Sequence, residues 1–434
     1  MRKRPRIVVI GAGFGGMQAA QSLAKAGVSV LLIDRNPYHT FVPLLYQVAT
    51  AQLSPDQAIY PLRTLVRRFP HLQFLMADVQ EINLAQQWLA TSETRISYDY
   101  LVLATGSRSQ FFTIPGAADY SFPLNTVSDA VVLRNHLFAC FERAAQTTDP
   151  VEQRSLLTFA IVGGGATGVE LAGALGELVR SVQRDYPTIE RRNVRIALLQ
   201  GGTQLLAEFP RSLGNYTAQR LCRLGVEVYL QAKVSRVSPT AVYLDNGMSI
   251  PTGTTIWTAG VEAAIPVTST ALDRRHRGRL AVRSTLQLPN DDRVYAIGDA
   301  AYSESAGKPL AGVAPEALQQ GVAAAKNIQR QLRGTLPQPF HYFNKGRLAI
   351  IGGYAAVGRI GKLNLAGIVP WLLWLGVHWV YLPGWRNRLF VLLSWLQNYG
   401  LGDRALRIIL SLPRSEGRSL SPQLTQQAEE LPRS

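Results

Sequence analysis

The chain begins with short apolar runs separated by a glycine-rich turn and a helical stretch. Residues 7–10 (IVVI) are apolar and mostly β-branched, which predicts a buried strand. Residues 17–28 have the pattern of a helix, and residues 29–34 (SVLLID) predict a second strand that ends at an acidic residue, Asp34. A strand, a glycine-rich turn, a helix and a strand that ends at an acid form the βαβ unit that binds a dinucleotide.

Three glycines in this turn have separate expected roles. Gly11 permits the tight turn, Gly13 lets a pyrophosphate approach the backbone, and Gly16 lets the helix pack closely on the strand. The helix N-terminus offers unpaired N–H groups to phosphates, and the Asp34 carboxylate can accept hydrogen bonds from a ribose. The glycine motif alone is weak, but its flanking strands favour a nucleotide site over a structural turn.

The same pattern repeats in the middle of the chain. Residues 157–162 predict a strand, a helix runs to about Val179, and residues 194–199 predict the next strand. Three glycines again follow the first strand: Gly163, Gly165 and Gly168. Two such units with correct flanking elements indicate that one chain binds two nucleotides.

The second unit differs from the first at the end of its second strand, where Gln200 replaces the acid. A carboxylate there would bond the 2′-hydroxyl of NADH and repel the 2′-phosphate of NADPH. A neutral amide removes this repulsion, so NADPH becomes admissible, although no arginine follows directly to bind the phosphate. The alternative is that Gln200 simply bonds the ribose of NADH.

Further apolar runs place the remaining elements of an α/β fold. They predict strands at residues 73–78, 98–104, 226–230, 241–245, 254–259 and 293–297, and helices at 126–145 and within 310–331. We therefore expect two Rossmann-like dinucleotide-binding domains, one inserted in the other, followed by an amphipathic helical region. The expected limits are 1–122 and 269–355 for the first domain, 123–268 for the inserted domain and 356–434 for the C-terminal region.

The C-terminal region is apolar and rich in tryptophan, with five of the seven tryptophans between Trp371 and Trp395. Residues 367–382 are apolar over a stretch shorter than the ~20 residues that span a bilayer. Two apolar stripes at helical spacing follow: Leu389, Leu392, Leu393 and Leu396, then Leu406, Ile409 and Leu410. Together with flanking basic residues, they predict helices that lie in the headgroup layer of a membrane. The alternative is a buried helical hairpin or a dimer interface.

Composition narrows the range of partners and of redox chemistry. The 434 residues carry a formal net charge of +16, which implies an anionic partner such as an acidic lipid surface or a phosphorylated cofactor. No nucleic-acid-binding motif is found, so nucleic acid is not expected. Cys140 and Cys222 lie far apart without a CxxC motif, which argues against a redox dithiol or a cysteine metal site and predicts two buried thiols.

The basic residues before the first strand could suggest a signal peptide. The run that follows them is the glycine-rich turn, which is no adequate hydrophobic core for a signal sequence. We therefore expect the protein at the cytoplasmic face of a membrane, as a peripheral protein.

Several motifs together resemble one family, the type II NADH dehydrogenases. These are single-chain, non-pumping flavoproteins that pass electrons from NAD(P)H to a membrane quinone. The motifs are FVPLLYQVAT (41–50), YDYLVLATGS (98–107), GGGATGVELAGAL (163–175), TIWTAGV (255–261), VYAIGDAA (294–301), APEALQQG (314–321) and GRLAIIGGYAAV (346–357). The resemblance extends to about Arg414 and is specific as a set, whereas the opening motifs alone would fit any flavoprotein with two dinucleotide sites.

The resemblance implies that the first unit binds FAD and the second binds NAD(P)H. For FAD, the implied contacts are Gly11, Gly13, Gly16 and Asp34 at the pyrophosphate and ribose, Val79 at the adenine, Thr105 and Gly106 along the cofactor, and Asp299 at the ribityl chain. For the nicotinamide nucleotide, they are Gly163, Gly165, Gly168 and Gln200. Glu170, Gln319 and Gln320 resemble residues that the family uses beside the flavin for quinone binding and proton relay, and Glu170 is the expected proton donor.

The chain departs from the family at two positions. Gln200 stands where an acid is common, which puts strict NADH specificity in doubt, and Pro315 replaces a glutamine of the quinone motif. Cysteine-dependent relatives, the disulfide reductases and sulfide:quinone reductases, are not supported because neither cysteine lies in a CxxC motif or by a nucleotide turn. A redox sensor with little turnover, the identity of the quinone and the formation of a homodimer stay open.

Overall fold

The computed structural model describes residues 5–182, 185–269, 271–305, 307–401 and 408–409. The fold contains two large, mostly parallel sheets, and the central part of each sheet carries one of the glycine-rich turns. The first sheet has six strands, in spatial order Gln287–Leu288, Asp291–Ala296, Tyr100–Leu103, Ile7–Ile10, Val30–Asp34 and Leu72–Met76. All neighbouring pairs are parallel except the first. Ile7–Ile10 is fully buried at the centre, as its continuous apolar sequence requires.

The second sheet has five strands, all parallel to their neighbours. In spatial order they are Ser121–Pro123, Thr254–Trp257, Thr158–Val162, Arg195–Gln200 and Val226–Leu230. Because the strands of the first sheet come from both before and after this segment, the second unit is inserted in the first. The structure thus has the predicted arrangement, in which one dinucleotide-binding unit is inserted in the other.

Smaller sheets cover the edges of the two units. The four-stranded sheet contains Val267–Thr268, Val79–Asn83, Trp88–Thr91 and Arg95–Ser97. The three-stranded sheets are Val234–Val237, Ala241–Leu244 and Ser249–Pro251, and Arg347–Ile350, Ala356–Ile360 and Leu363–Gly367. The two-stranded pairs are Tyr38–Thr40 with Ile59–Pro61, Ser107–Ser109 with Val261–Ala263, Leu280–Ala281 with Ala301–Tyr302, and Glu304–Ser305 with Lys308–Pro309.

The α-helices of the described residues connect these sheets and cover their faces. They are α1 (Phe14–Lys25), α2 (Leu45–Ala49), α3 (Leu62–Val66), α4 (Ala117–Tyr120), α5 (Val127–Gln146), α6 (Pro150–Leu156), α7 (Ala166–Val182), α8 (Arg211–Arg223), α9 (Ala314–Leu332), α10 (Ile368–Tyr381) and α11 (Trp385–Leu396). Helix α1 follows the first glycine-rich turn and α7 follows the second.

Two of the predicted domain limits, 122 and 356, fall within strands, and this does not test where the domains begin and end. Position 122 lies inside the strand Ser121–Pro123, which belongs to the second sheet. Position 356 begins the middle strand of an antiparallel sheet that joins Arg347–Ile350 to Leu363–Gly367. The limits themselves stay predictions.

The C-terminal helices α10 and α11 have one buried side and one exposed side. Trp371, Trp374, Val391 and Trp395 are buried in the same core as apolar residues of α2, α5 and α7. We call the following exposed residues, which are all aliphatic except Phe390, the outer face: Ile368, Val369, Leu372, Leu373, Val377, Val380, Leu389, Phe390, Leu392, Leu393 and Leu396. The region thus combines the buried hairpin of the alternative with an exposed apolar surface.

No helix in the described part of the chain is long and apolar enough to cross a membrane. Of the predicted second stripe, Leu406 and Leu410 lie outside the described residues, and Ile409 is exposed. The prediction of two buried thiols was half wrong. Cys140 is buried, which raises the pKa of its thiol to about 11, but Cys222 is exposed because it lies on the solvent side of α8.

Candidate functional site

The first glycine-rich turn has two glycines that packing requires and one that faces open space. Gly11 has φ +98°, and a Cβ there would lie 2.2 Å from the Ala104 carbonyl oxygen. A Cβ on Gly16 would lie 1.9 Å from the Gly11 carbonyl oxygen. A Cβ on Gly13, the N-cap residue of α1, would meet no atom within 4 Å. The backbone at Gly13 is therefore open to a ligand.

The Asp34 carboxylate connects the end of its strand to this turn. Its Oδ2 accepts a hydrogen bond from the Ala12 N–H at 2.7 Å, and its Oδ1 accepts one from the Asn36 N–H at 2.8 Å. Burial raises the pKa of Asp34, while these backbone hydrogen bonds lower it. Each oxygen keeps further acceptor capacity, so the carboxylate can hold the turn and still receive a hydroxyl.

The other predicted cofactor residues lie after strands of the first sheet or at the start of a strand of the four-stranded sheet. Thr105 and Gly106 follow Tyr100–Leu103 after one intervening residue, and Asp299 comes after Asp291–Ala296, so they share the carboxyl edge with the glycine-rich turn. Asp299 accepts a hydrogen bond from the Ser107 hydroxyl at 2.7 Å. Val79 is buried at the start of Val79–Asn83.

Sequence reasoning missed His39, whose side chain is 1 % exposed beside the turn. Its Nδ1 lies 2.8 Å from the Ala12 carbonyl oxygen, which can only accept, so Nδ1 is the donor. Burial lowers the pKa of His39 to about 4, so the ring is neutral and Nε2 is an acceptor. A single histidine in the short strand Tyr38–Thr40 carries no sequence signal for this position.

Two buried polar atoms at this edge have no partner within the described structure: His39 Nε2 and Thr105 Oγ1. Unsatisfied buried polar atoms are rare and costly, and a ligand that supplies hydroxyl and phosphate oxygens would satisfy them. Together with the open backbone at Gly13, these atoms fit a dinucleotide cofactor.

The second glycine-rich turn repeats the geometry of the first. Gly163 has φ +115°, and a Cβ there would lie 2.7 Å from Ala259 Cα. A Cβ on Gly168 would lie 1.9 Å from the Gly163 carbonyl oxygen, whereas one on Gly165 would meet nothing within 4 Å. Gly165 is therefore the counterpart of Gly13.

Gln200 takes the structural place of Asp34 in the second unit. Its Oε1 accepts a hydrogen bond from the Gly164 N–H at 2.9 Å, as Asp34 does from Ala12. Its Nε2 donates to the Gln204 carbonyl oxygen at 3.2 Å. The position predicted for the adenosine ribose thus lies at the carboxyl edge of the second sheet, beside its glycine-rich turn.

Glu170 is a buried acid on α7, one turn after the second glycine-rich turn. Its Oε1 accepts hydrogen bonds from the Trp374 Nε1–H at 3.2 Å and from the Ile350 N–H at 3.4 Å. Burial raises the pKa of Glu170 to about 8, and these two hydrogen bonds lower it by less. The carboxyl is therefore mostly protonated at neutral pH, which is the state required of an acid catalyst.

Aromatic and amide side chains surround this acid. His378 stacks on Trp374 with ring centroids 3.8 Å apart, and burial lowers the pKa of His378 to about 4. Gln47 donates to the Tyr46 hydroxyl at 2.9 Å and accepts from the Trp395 indole at 2.9 Å. The sequence predicted a membrane-facing region for the tail tryptophans, with a buried hairpin or a dimer interface as the alternative, and no signal in it connects them to Gln47 or Glu170.

Gln319 and Gln320 have different surroundings and already use both ends of their amides. Gln320 is buried, accepts from the Gly298 N–H at 2.6 Å and donates to the Ser303 hydroxyl at 2.7 Å. Gln319 donates to the Phe343 carbonyl and accepts from the Phe343 N–H, both at 2.9 Å. Gln320 thus supports the turn that carries Asp299, and neither amide bonds Glu170.

A cavity of about 660 Å³ opens between the loop before α9, the loop after Gln200 and the start of the Arg347–Gly367 sheet. Its charged lining residues are Glu208, Arg277, Arg279, Arg347 and Arg359. Glu208 pairs with Arg347, and Arg279 donates to the Leu310 and Ala311 carbonyls at 3.0 and 3.1 Å. The lining is therefore net positive and suits a phosphate-bearing ligand.

Comparison with known protein families and sequences identifies the proteins that this chain resembles. The family model of pyridine nucleotide-disulphide oxidoreductases matches residues 5–325. The chain is 33% identical to a type II NADH:quinone oxidoreductase of Mycobacterium tuberculosis, over 99% of this chain and 95% of that protein. It is 36% identical to a second type II NADH:quinone oxidoreductase of the same organism, over 90% of this chain and 86% of that protein.

Solved structures agree on the fold. NDH2 from Plasmodium falciparum in complex with NADH superposes with a TM-score of 0.85 at 19% identity, covering 94% of this chain and all of that one. A sulfide:quinone oxidoreductase from Aquifex aeolicus gives a TM-score of 0.71 at 17% identity, over 89% and 92% of the two chains. The family match and the near-full-length sequence identity decide the assignment: this chain belongs to the type II NADH:quinone oxidoreductases.

Proposed function

We propose that this protein is a membrane-peripheral flavoprotein that oxidises NADH or NADPH through FAD and reduces a membrane quinone without pumping protons. Family membership supports NADH-to-quinone oxidoreduction by a flavoprotein. The observation that carries the proposal is the pair of equivalent turns, each with one glycine open to a ligand: Gly13 and Gly165.

In the first unit, the open backbone at Gly13 and the N-terminus of α1 would hold the FAD pyrophosphate. Asp34 would accept from the adenosine ribose and Asp299 from the ribityl chain, while Thr105 supplies a hydroxyl that has no partner within the described protein. Bound FAD would supply two-electron chemistry, accepting a hydride from the nicotinamide and releasing electrons to the quinone.

In the second unit, Gly165 and the N-terminus of α7 would hold the pyrophosphate of the nicotinamide nucleotide, and Gln200 would face its adenosine ribose. The basic cavity beside the loop before α9 is lined by none of these residues, so we do not assign it to the phosphates of this nucleotide.

Quinone reduction needs protons as well as electrons, and we assign the proton donor to Glu170. The hydrogen bonds from Trp374 and Ile350 both enter at Oε1, which leaves Oε2 to carry the proton. Gln319 and Gln320 were expected beside the quinone, but their amides are engaged with protein groups. We therefore propose that they position the Asp299 turn and the Phe343 segment around the site.

Titration of the purified protein with NADH and NADPH against several soluble quinones tests the proposal. We expect quinone reduction with both reductants at rates above about 1 per second, in the usual enzymatic range. Slower turnover with intact nucleotide binding would instead support a redox sensor. No flavin reduction by either nucleotide would contradict the proposed function.

The same titration tests the role of Gln200 when the Gln200→Glu variant is included. At an effective dielectric near ~20 and about 5 Å, the added charge would repel one 2′-phosphate charge by ~3 kcal/mol before screening. NADH has a 2′-hydroxyl there, which can donate to the new carboxylate. We expect the NADH/NADPH ratio of kcat/KM to rise at least tenfold, whereas Gln329→Glu on α9 should leave it unchanged. An unchanged ratio in Gln200→Glu would mean that Gln200 is not at the ribose.

Membrane attachment is proposed for the outer face of α10 and α11. Deleting the region from Gly361 would also remove Trp374 and Trp395, which donate to Glu170 and Gln47. Leu372 and Leu393 are instead more than half exposed on the two helices. We expect the double variant Leu372→Glu, Leu393→Glu to move from membranes to the soluble fraction in a sedimentation assay and to keep its flavin.

Leu336→Glu is the matched control, because Leu336 is highly exposed but outside the outer face. It should stay on membranes. Moderate salt should release the wild type only partly, since screening weakens attraction to lysine and arginine but not apolar insertion. If the double variant stays bound and changes only its oligomeric state, the outer face is a homodimer interface and the membrane assignment fails.

A further inference from the structure

The ribose ends of the two units are built from equivalent segments. In the first unit, the Ala77 N–H donates to the Asp34 carbonyl oxygen at 3.0 Å. In the second, the Ala232 N–H donates to the Gln200 carbonyl oxygen at 2.9 Å. Val79 and Val234, two residues further on in each unit, are both buried. Residues 77–79 and 232–234 therefore occupy the same place, and Lys233 is the counterpart of Asp78.

The charges at these equivalent places are opposite. Burial raises the pKa of Asp34, and the nearby negative charge of Asp78 adds to the rise, so the two carboxylates are close enough to repel each other. In the second unit, neutral Gln200 replaces Asp34 and cationic Lys233 replaces Asp78. The pair in the first unit carries a charge of −2, whereas the equivalent pair in the second unit carries +1. The first pair therefore favours ligand hydroxyls, and the second favours an anionic ligand group.

The backbone also places Lys233 directly beside the residue that follows Gln200. A Cβ on Gly201 would be in ordinary van der Waals contact with Lys233, 3.9 Å from its Cα and its Cβ. The second unit has one more residue before the alanine, Gln231, which has φ +54° and donates to the Gly202 carbonyl oxygen at 2.9 Å. This left-handed residue turns the chain back over Gly201 and Gly202.

Lys233 is available for a ligand. Its side chain is exposed, and within the described part of the chain it forms no ion pair. Asp245 contacts Lys233 through the backbone, where its N–H donates to the Lys233 carbonyl oxygen at 2.9 Å. A flexible ammonium group is a common ligand of phosphate.

We propose that Lys233 binds the 2′-phosphate of NADPH and, with neutral Gln200, makes this chain accept NADPH. The inference rests on the proposed function, because it requires that the second unit binds the nicotinamide nucleotide. It supplies a cation for the 2′-phosphate that sequence reasoning did not identify. No arginine directly follows Gln200, and Lys233 lies 33 residues further along the chain.

Isothermal titration calorimetry of the full-length, flavin-loaded protein with NADP⁺ and NAD⁺ tests the inference without turnover. In Lys233→Met, we expect the affinity for NADP⁺ to fall roughly tenfold and that for NAD⁺ to change less than twofold, because one phosphate–ammonium attraction is lost. The matched control Lys326→Met, an exposed lysine on α9, should change neither affinity. Added salt should weaken NADP⁺ more than NAD⁺ in the wild type, and this difference should shrink in Lys233→Met.

The double variant Gln200→Asp, Lys233→Asp rebuilds the carboxylate pair of the first unit. We expect it to lose NADP⁺ affinity about a hundredfold and to keep NAD⁺ affinity within threefold. Equal weakening of both nucleotides in Lys233→Met, or no change in either, would overturn the role of Lys233. Failure of the wild type to bind NAD⁺ at all would overturn the proposed function itself, and Lys233 with it.

Discussion

Gly13→Val is expected to give a folded protein that has lost its flavin. A Cβ at Gly13 meets no protein atom within 4 Å, so the variant should fold. The valine side chain would instead fill the space that a pyrophosphate must enter to reach the backbone at the N-terminus of α1. The measurement is the visible flavin absorbance of the purified protein relative to its protein content, with circular dichroism as the check on folding.

Gly165→Val is the matched control for this prediction. Its position in the second turn is equally open, so it should fold, keep stoichiometric FAD and lose binding of the nicotinamide nucleotide. The two variants together separate the two nucleotide sites. Recovery of stoichiometric FAD from folded Gly13→Val would refute the assignment of the first unit.

Glu170→Gln should slow the oxidation of reduced flavin by quinone about a hundredfold at neutral pH. Loss of a positioned general acid typically lowers the rate ~10²–10⁴-fold. The amide keeps the size of the side chain, but its N–H is not acidic enough to transfer a proton to the quinone. Reduction of the flavin by NADH should be nearly unchanged. Anaerobic stopped-flow measurement of the two half-reactions separates these effects.

The pH profile identifies the group. The Glu170 carboxyl has a pKa of about 8, so it is protonated below that value and ionised above it. The quinone half-reaction of the wild type should therefore slow as pH rises through about 8, and that of Glu170→Gln should show no such step. Glu177→Gln, on the same helix but bonded to Gln52 and Gly353, should retain the wild-type profile. A step that persists in Glu170→Gln would assign the proton to another group.

The periodic and glycine-rich parts of the fold were predictable because local sequence determines them. The predicted strand 226–230 coincides with Val226–Leu230, and the predicted strand 157–162 begins one residue before Thr158–Val162. Gly11 and Gly163 were predicted at tight turns, and both have positive φ. In each case the pattern of neighbouring residues, together with steric limits on the backbone, is sufficient to predict the local structure.

Contacts between distant segments were not predictable from one sequence. The apolar pattern indicated helices at α10 and α11, but not that Trp374 would donate to Glu170 across the core. Gln320 lies in a recognisable motif, yet its partner Gly298 is set by the packing of α9 on the first unit. Such pairings depend on tertiary packing, which neither periodicity nor spacing specifies.

The burial of Glu170 also connects folding to the uptake of a proton. In the unfolded chain a glutamate with a pKa of 4.5 is ionised at neutral pH, whereas in the folded protein its pKa is about 8. Between these values the folded state binds a proton that the unfolded state does not, so this group's contribution to stability declines as pH rises and is lost by about pH 8. Because Oε1 of this acid accepts a hydrogen bond from Trp374 of α10, we expect the cost of burying the ionised carboxyl at alkaline pH to favour separation of α10 from α7. One carboxyl would then couple proton concentration to the packing of the C-terminal helices.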